Sequence, residues 1–249
     1  MSGNREKDWG RSKHFREGQA EQVLSDLFFD YLDLVERLRP RAAIAENVKG
    51  MLLGNARGYV SAVVSRFRQL GYRVQVFSIN SADCGVPQRR ERTFFCALRD
   101  DFRKPSLILK PSQRWISAAE AVADIQALSQ EEVEKTQPPP SAVRLWPHHK
   151  PGDSFADVHR RLGEKDSQFN QAFLDGSVPS FPLHSNSYSH FIHWDSCRKL
   201  TMRELVRLAT FPDDYWFRSW NSGSYLTGMS VPPRMMQFVA SEIAKQWLA

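Results

Sequence analysis

Apolar residues recur at helical spacing early in the chain. Val23, Leu27, Tyr31, Leu34, Val35 and Leu38 fall three or four apart from Gln22 onward, the pattern of one buried helical face. Pro40 ends that helix, because proline lacks the amide and clashes with the preceding turn. Residues 1–19 are polar and basic, with Gly3, Gly10 and Gly18, and predict a loop. After Pro40 comes the apolar run Ala42-Ala43-Ile44-Ala45, which stops at Glu46-Asn47. A short apolar run after a helix suits a buried parallel strand. The spacing predicts a second helix over residues 59–70, with Val60, Val63, Val64 and Phe67 on its stripe and Gly71 as C-cap. Residues 72–79 alternate Val74 and Val76 with Gln75 and read as a strand, and residues 93–98 as another. This alternation predicts an α/β sheet for residues 20–100.

The second half is patterned differently. Ser117 and Glu120 make a capping box before Ala121-Val122. Gln137-Pro138-Pro139-Pro140 then opens a stretch rich in Pro, His, Gly and Ser that runs to about Ser196 with little periodicity. It reads as a small irregular subdomain or a long functional loop region. Thr201 and Glu204 form a second capping box, and a short helix from Met202 ends before Phe211-Pro212. Pro232 and Pro233 suit the first turn of a last helix, with Met236, Val239, Ala240, Ile243 and Trp247 along one face.

The composition narrows the class. With 249 residues, 41% hydrophobic and 25% charged, the chain is globular and long enough to bury a core. A formal net charge of +6 is compatible with a polyanionic partner such as nucleic acid. The three cysteines, Cys84, Cys96 and Cys197, are widely spaced with no CxxC pair, which argues against a disulfide framework and a zinc-thiolate site. His184, His190 and His193 lie in a Ser-rich loop, and no metal site is expected. The N-terminus lacks the apolar core of a signal peptide, and no apolar run reaches membrane-spanning length, so a cytoplasmic location without membrane contact is expected.

Three stretches carry candidate chemistry. Glu46-Asn47 closes an apolar strand, the place where α/β folds set ligands; a carboxyl desolvated there can deliver a proton to a ring nitrogen. Spacing alone favours a plain Glu-Asn turn. Gln88-Arg89-Arg90-Glu91-Arg92 leads into a strand, where Arg90 and Arg92 fall on one face and suit phosphate or base carbonyls, or form a solvated basic strand end. Gly228-Met229-Ser230-Val231-Pro232-Pro233 reads as a glycine turn before a helix whose free amides favour an anion, or as ordinary helix initiation.

In order, these stretches resemble the later motifs of DNA (cytosine-5) methyltransferases: Glu46-Asn47-Val48, Gln88-x-Arg90-x-Arg92, Arg198-Lys199-Leu200-Thr201-x-Arg203-Glu204 running to Phe211-Pro212-Asp213, and Gly228-x-Ser230-Val231-x-Pro233. The resemblance runs the length of the chain, except for motif-grade signal over about 100–195. It implies an α/β fold with a partial Rossmann-like methyltransferase sheet and an irregular target recognition subdomain. Residues 1–136 would be catalytic domain, 137–197 the target recognition region and 198–249 the return to the catalytic domain. It further implies a cytosine flipped out of double-stranded DNA and methylated at C5 from S-adenosyl-L-methionine, as in restriction–modification.

Glu46 would hydrogen-bond the exocyclic amine and protonate N3, with Asn47 helping to hold that carboxyl. Arg92 would reach the cytosine O2, and Arg90 would steady the catalytic loop and a phosphate. Ser230, with Gly228, would lie near the cofactor's methionine moiety, and Arg144, Lys150, Arg160 and Arg161 would contact DNA.

The departures are as specific. The family's glycine-rich cofactor motif, its ribose-binding acidic residue and its Pro-Cys nucleophile loop are absent from the 249 residues, and Met229 stands where the commoner motif has Asn. None of the three cysteines matches the nucleophile. Residues 1–7 resemble the segment directly after the Pro-Cys loop. The expectations are therefore a truncated product, one part of a split enzyme needing a complementary N-terminal half, or a non-catalytic DNA-binding or regulatory remnant. The isolated chain is expected to be inactive.

Overall fold

The computed structural model describes residues 27–52, 56–125, 127–165 and 170–249. The loop expected over residues 1–19 and the helical position Val23 lie outside the described residues. The chain divides into two compact units. One gathers residues up to Ile79 with Glu91–Lys110 and Val239–Ala249; the other gathers Asn80–Arg90 and Pro111–Phe238.

In the first unit, helix α1 (Leu27–Leu38), strand β1 (Ala42–Val48), helix α2 (Ala56–Gln69) and strands β2 (Tyr72–Asn80) and β3 (Glu91–Arg99) follow in chain order. The sheet order is β1-β3-β2. β1 pairs antiparallel with β3, from Ala42 opposite Leu98 to Val48 opposite Arg92. This corrects two expectations. Among the described residues β1 pairs antiparallel and not parallel, and it continues through Glu46 and Asn47, because both residues take ladder positions opposite Phe94 and Thr93.

Side chains alternate across the sheet. Ala43, Phe95 and Ala97 share one face and pack in a core with α1 and α2, through Phe28, Leu32, Val35, Val63, Phe67 and Leu70. Fully burying each large side chain there stabilises the fold by roughly 1.5–3 kcal/mol. The α1 stripe differs from the one expected. Val35 is buried and Tyr31 packs against the core as expected, but Leu27, Leu34 and Leu38 are exposed, and Phe28 and Leu32 are buried in their place. Both sets satisfy helical spacing; the ring of Phe28 decides between them, meeting Tyr31, Tyr59 and Phe95 edge-on. Gly71 closes α2 at φ 79°, as a C-cap should.

The second unit is built from short pieces. Helices α3 (Ala118–Ala121), α4 (Gln130–Lys135), α5 (Pro140–Leu145) and α6 (Phe155–Arg161) precede strand β4 (Ala172–Phe173), helix α7 (Ser187–His190) and strand β5 (Phe191–Ile192), which pairs parallel with β4. The Pro-rich stretch is thus ordered around its own core of Ala142, Leu145, Phe155, Val158, Phe173 and Ile192. Helix α8 (Met202–Leu208) carries the reciprocal capping box expected at Thr201 and Glu204. At α3, Ser117 caps Glu120, whose carboxylate pairs with Arg114.

Helix α9 (Trp220–Met229) has no apolar periodicity in the sequence, because its buried residues are Gly223, Ser224, Thr227 and Gly228. Gly228 therefore lies inside a helix and not in a turn. Helix α10 (Pro233–Ile243) begins at Pro233 as expected and continues into a π turn, Ala244–Leu248. Its buried residues are Met235, Val239, Ile243 and Trp247, each four apart, while Ala240 is exposed. The extra residue per turn of a π segment keeps such a ridge on one side.

Candidate active site

Register brings Glu46 and Arg92 together. Glu46 lies opposite Phe94 and Val48 opposite Arg92, so residues 46 and 92 are diagonal neighbours on one sheet face. This is the face turned away from the α1 and α2 core. The Arg92 Nε lies 2.8 Å from Glu46 Oε1, with side chains only 15% and 26% exposed. Arg92 also donates through Nη1 to the carbonyl of Glu91. Burial pushes the Arg92 guanidinium below the usual arginine value, and the Glu46 carboxylate acts against that. One step further along the ladder, Lys49 pairs with Glu91 at 2.7 Å. Asn47 sits on the alternate face, and its Oδ1 accepts from the Val48 amide at 2.8 Å. It fixes the end of the strand and does not touch the Glu46 carboxyl through its side chain.

Arg90 is placed otherwise than its sequence position suggests. It precedes β3 and is 4% exposed. Its Nη1 donates to the carbonyl of Leu183, and its Nη2 to the carbonyl of Gly228 at 2.7 Å. Gln88, fully buried beside it, accepts from the Leu183 amide through Oε1 at 3.0 Å. These two side chains tie the segment before β3 to the chain around Leu183 and to the end of α9. Ser81 completes the arrangement by accepting from the Arg90 amide. Arg90 and Arg92 thus do not share a face turned to solvent.

Gly228 owes its identity to this packing. A Cβ there would lie 2.1 Å from the carbonyl carbon of His184. Ser230 donates to the carbonyl of Leu226 at 2.6 Å and keeps acceptor capacity. One hydroxyl and a glycine pressed against the protein's own backbone do not make a cradle for S-adenosylmethionine, so the residues named for it fit at most a single contact.

Two of the thiols and the imidazoles of His184 and His193 are shielded. Burial pushes Cys84 and Cys96 each up to about 12 and raises Cys197 as well. A thiol so shifted is not a nucleophile near neutral pH. Burial, with His190 nearby, lowers His184 to about 4. Burial, with Arg198 nearby, lowers His193 to about 4. Among the described residues no three His, Cys, Asp or Glu side chains gather to hold a metal.

Three of the four cations expected at DNA are already ion-paired. Arg144 meets Glu164 at 2.7 Å, Arg161 meets Asp153 at 2.9 Å, and Arg160 meets Asp157. Such exposed pairs are worth about 0–1 kcal/mol, little enough for a phosphate to compete. Lys150 is exposed and has no carboxylate partner among the described residues.

Comparison with known proteins fits this geometry. The chain is 28% identical over 276 residues to the type II methyltransferase M.DdeI of Desulfomicrobium norvegicum, covering 88% of this chain and 66% of that protein. It is 30% identical over 230 residues to the type II methyltransferase M.BbvI of Brevibacillus brevis, covering 85% and 60%. The chain thus spans about two thirds of the length of the curated relatives it matches. In fold it is similar to Schizosaccharomyces pombe Dnmt2, with a TM-score of 0.60, 15% identity and coverage of 92% and 74%. A Spodoptera frugiperda DNMT2 variant matches with a TM-score of 0.61, 15% identity and coverage of 93% and 76%. No helix among the described residues is long and apolar enough to cross a membrane. The profile described as C-5 cytosine-specific DNA methylase matches residues 9–245, and the chain belongs to that family.

Proposed function

We infer that the chain supplies the base-holding and proton-donating part of a DNA cytosine-5 methyltransferase. The observation that carries this reading is the half-buried Glu46–Arg92 pair on the sheet face away from the helical core. In the reaction, the Arg92 guanidinium turns from the carboxylate to the O2 of a flipped cytosine, and Glu46 faces N3 and the exocyclic amine. A guanidinium beside a carboxylate opposes its protonation. Moving that charge to the base therefore helps Glu46 hold the proton that N3 takes when a thiolate adds at C6. Asn47 fixes the strand end that presents Glu46, and Arg90 and Gln88 are positioning residues. S-adenosylmethionine supplies the methyl group in this family's reaction. Most of its binding residues, and the thiolate, would come from a part carrying the glycine-rich and Pro-Cys loops, in cis or in trans.

With that part supplied, Glu46→Gln should fold as the parent does but slow methyl transfer on the order of 10²- to 10⁴-fold, the usual contribution of a positioned acid. Arg92→Ala should also slow it. Single-turnover rates measure both, and transfer by Glu46→Gln at the parent rate would remove Glu46 from this role.

Residues 137–197 choose the DNA sequence in this reading. Support comes from their small, separately packed core, from the exposed Lys150, and from Arg144, Arg160 and Arg161, whose exposed ion pairs phosphates can displace. Exchanging this stretch for that of a relative should transfer the relative's target site. An active chimera that keeps the original site would count against the assignment. A second reading, a non-catalytic DNA-binding or regulatory protein, is favoured by the burial of Cys84 and Cys96 and by the raised pKa of all three thiols. It predicts DNA binding with no transfer even after the missing part is added.

A further inference from the structure

The end of the sheet opposite Glu46 carries an unusual concentration of positive charge. Arg41 immediately precedes β1, and Arg99 closes β3, its amide donating to the Arg41 carbonyl at 2.9 Å. Glu46 lies five residues further along β1, roughly 17 Å away at the rise of a strand. Both guanidiniums sit 5.1 Å from the centroid of the Phe102 ring, so they are no farther apart than twice that distance. Arg39 joins them, donating to the Leu70 carbonyl at 2.7 Å and receiving a hydrogen bond from Arg99 at its own carbonyl. Arg73, Arg99, Arg103 and Lys104 line a shallow depression of about 360 Å³ beside Phe102.

Six cations, Arg39, Arg41, Arg73, Arg99, Arg103 and Lys104, thus gather around two acids, Asp100 and Asp101. Of these cations only Arg99 pairs with an Asp or Glu side chain among the described residues, with Asp101 at 2.7 Å. Arg73 and Lys104 instead donate to main-chain carbonyls, of Lys104 and Ala249. Arg39, Arg41, Arg73 and Arg103 are exposed.

The geometry points to a second DNA-contact surface here, one that takes phosphodiester groups of the duplex and reads no sequence. This rests on the reading of the chain as a DNA methyltransferase part. Planar guanidinium forks match phosphate oxygens, and clustered cations that displace counterions make binding steeply salt-dependent. The Phe102 ring already has two guanidiniums 5.1 Å from its centroid, and the Tyr72 ring beneath Arg39 is buried, so the surface offers mainly charge and hydrogen-bond donors. Its distance from Glu46 is shorter than one turn of B-DNA, roughly 34 Å. One duplex is therefore long enough to reach both ends of the sheet.

The test compares the full chain with the Arg41→Gln, Arg103→Gln double variant in binding a fluorescent non-specific duplex over a range of salt. Arg41 and Arg103 make no side-chain hydrogen bond among the described residues, and circular dichroism checks the fold. The double variant should flatten the plot of log affinity against log salt by roughly two units, at about 0.9 per phosphate contact. Arg41→Lys, Arg103→Lys should restore most of the slope. A parent slope retained by the Gln variant would overturn the surface while leaving the methyltransferase reading intact. A parent chain that binds no duplex at all would overturn both. Competition by polyglutamate as strong as by DNA of equal charge would reassign the patch to an acidic protein and overturn the proposal.

Discussion

Arg92 faces Glu46 because an antiparallel register sets them diagonally, and a one-residue slip of β1 would put Glu46 among the helices. No feature of the local sequence reports that register. Glu46 and Arg92 stood out in the sequence through the motifs they resemble; their partnership became legible only once β1 and β3 were paired. Asn47 shows the same limit. Next to Glu46 in sequence, it points to the other face and serves the backbone.

Two histidines carry a residue-scale prediction. His184 and His193 are lowered by burial from 6.5 to about 4, so the unfolded chain binds more protons than the folded one. Their contribution to stability is fully present above about 6.5, and is lost as pH falls through 6.5 towards 4. Glu204 has its burial opposed by hydrogen bonds from Arg198, with a net lowering. It therefore adds to the loss only at the acid end of this window, where the unfolded chain's carboxylates begin to protonate, and not between pH 7 and about 5.5. The urea midpoint should be lower at pH 5 than at pH 7, and the difference should shrink in His184→Gln, His193→Gln. A pH dependence untouched by that double variant would contradict the assignment.

At the scale of elements, α9 is the least expected piece and the most constrained. Glycine costs a helix up to about 1 kcal/mol relative to alanine, so Gly228→Ala would ordinarily stabilise one. Here the added methyl would meet the His184 backbone at 2.1 Å, and Arg90 donates to the carbonyl of Gly228 itself. The variant should therefore lose about 1–3 kcal/mol, the usual cost of overpacking, measured by urea unfolding. A stabilised Gly228→Ala would show that the contact is loose.

Elements with an apolar stripe or a cap were readable in advance: α2 with Gly71, α8 with Thr201 and Glu204, and the start of α10. Those held by small residues or tertiary packing were not. α9 buries glycine, serine and threonine, and the stretch 137–197 builds its core from residues such as Phe155 and Phe173 that fall on separate short elements. In α1 two stripes compete, and tertiary contact of Phe28 chooses. The basic cluster around Phe102 was invisible for the same reason: its members come from before β1, the start of β2 and the end of β3.

For the whole molecule, the limit in the proposed reading is chemical. In that reading Glu46 is the acid and Arg92 holds the base, while burial pushes Cys84 and Cys96 up to about 12 and raises Cys197, so the attacking thiolate comes from another part. The β1 edge away from β3 has no strand partner among the described residues, and the proposed complementary part would extend the sheet there. The most direct test mixes the chain with a relative's fragment bearing the glycine-rich and Pro-Cys loops. Duplex DNA and S-adenosylmethionine labelled in its methyl group are added, and the DNA is digested to nucleosides. The prediction is label in 5-methylcytosine with both parts together and none with either alone. Label transferred by the 249-residue chain unaided, or label from the pair in any other base, would contradict it.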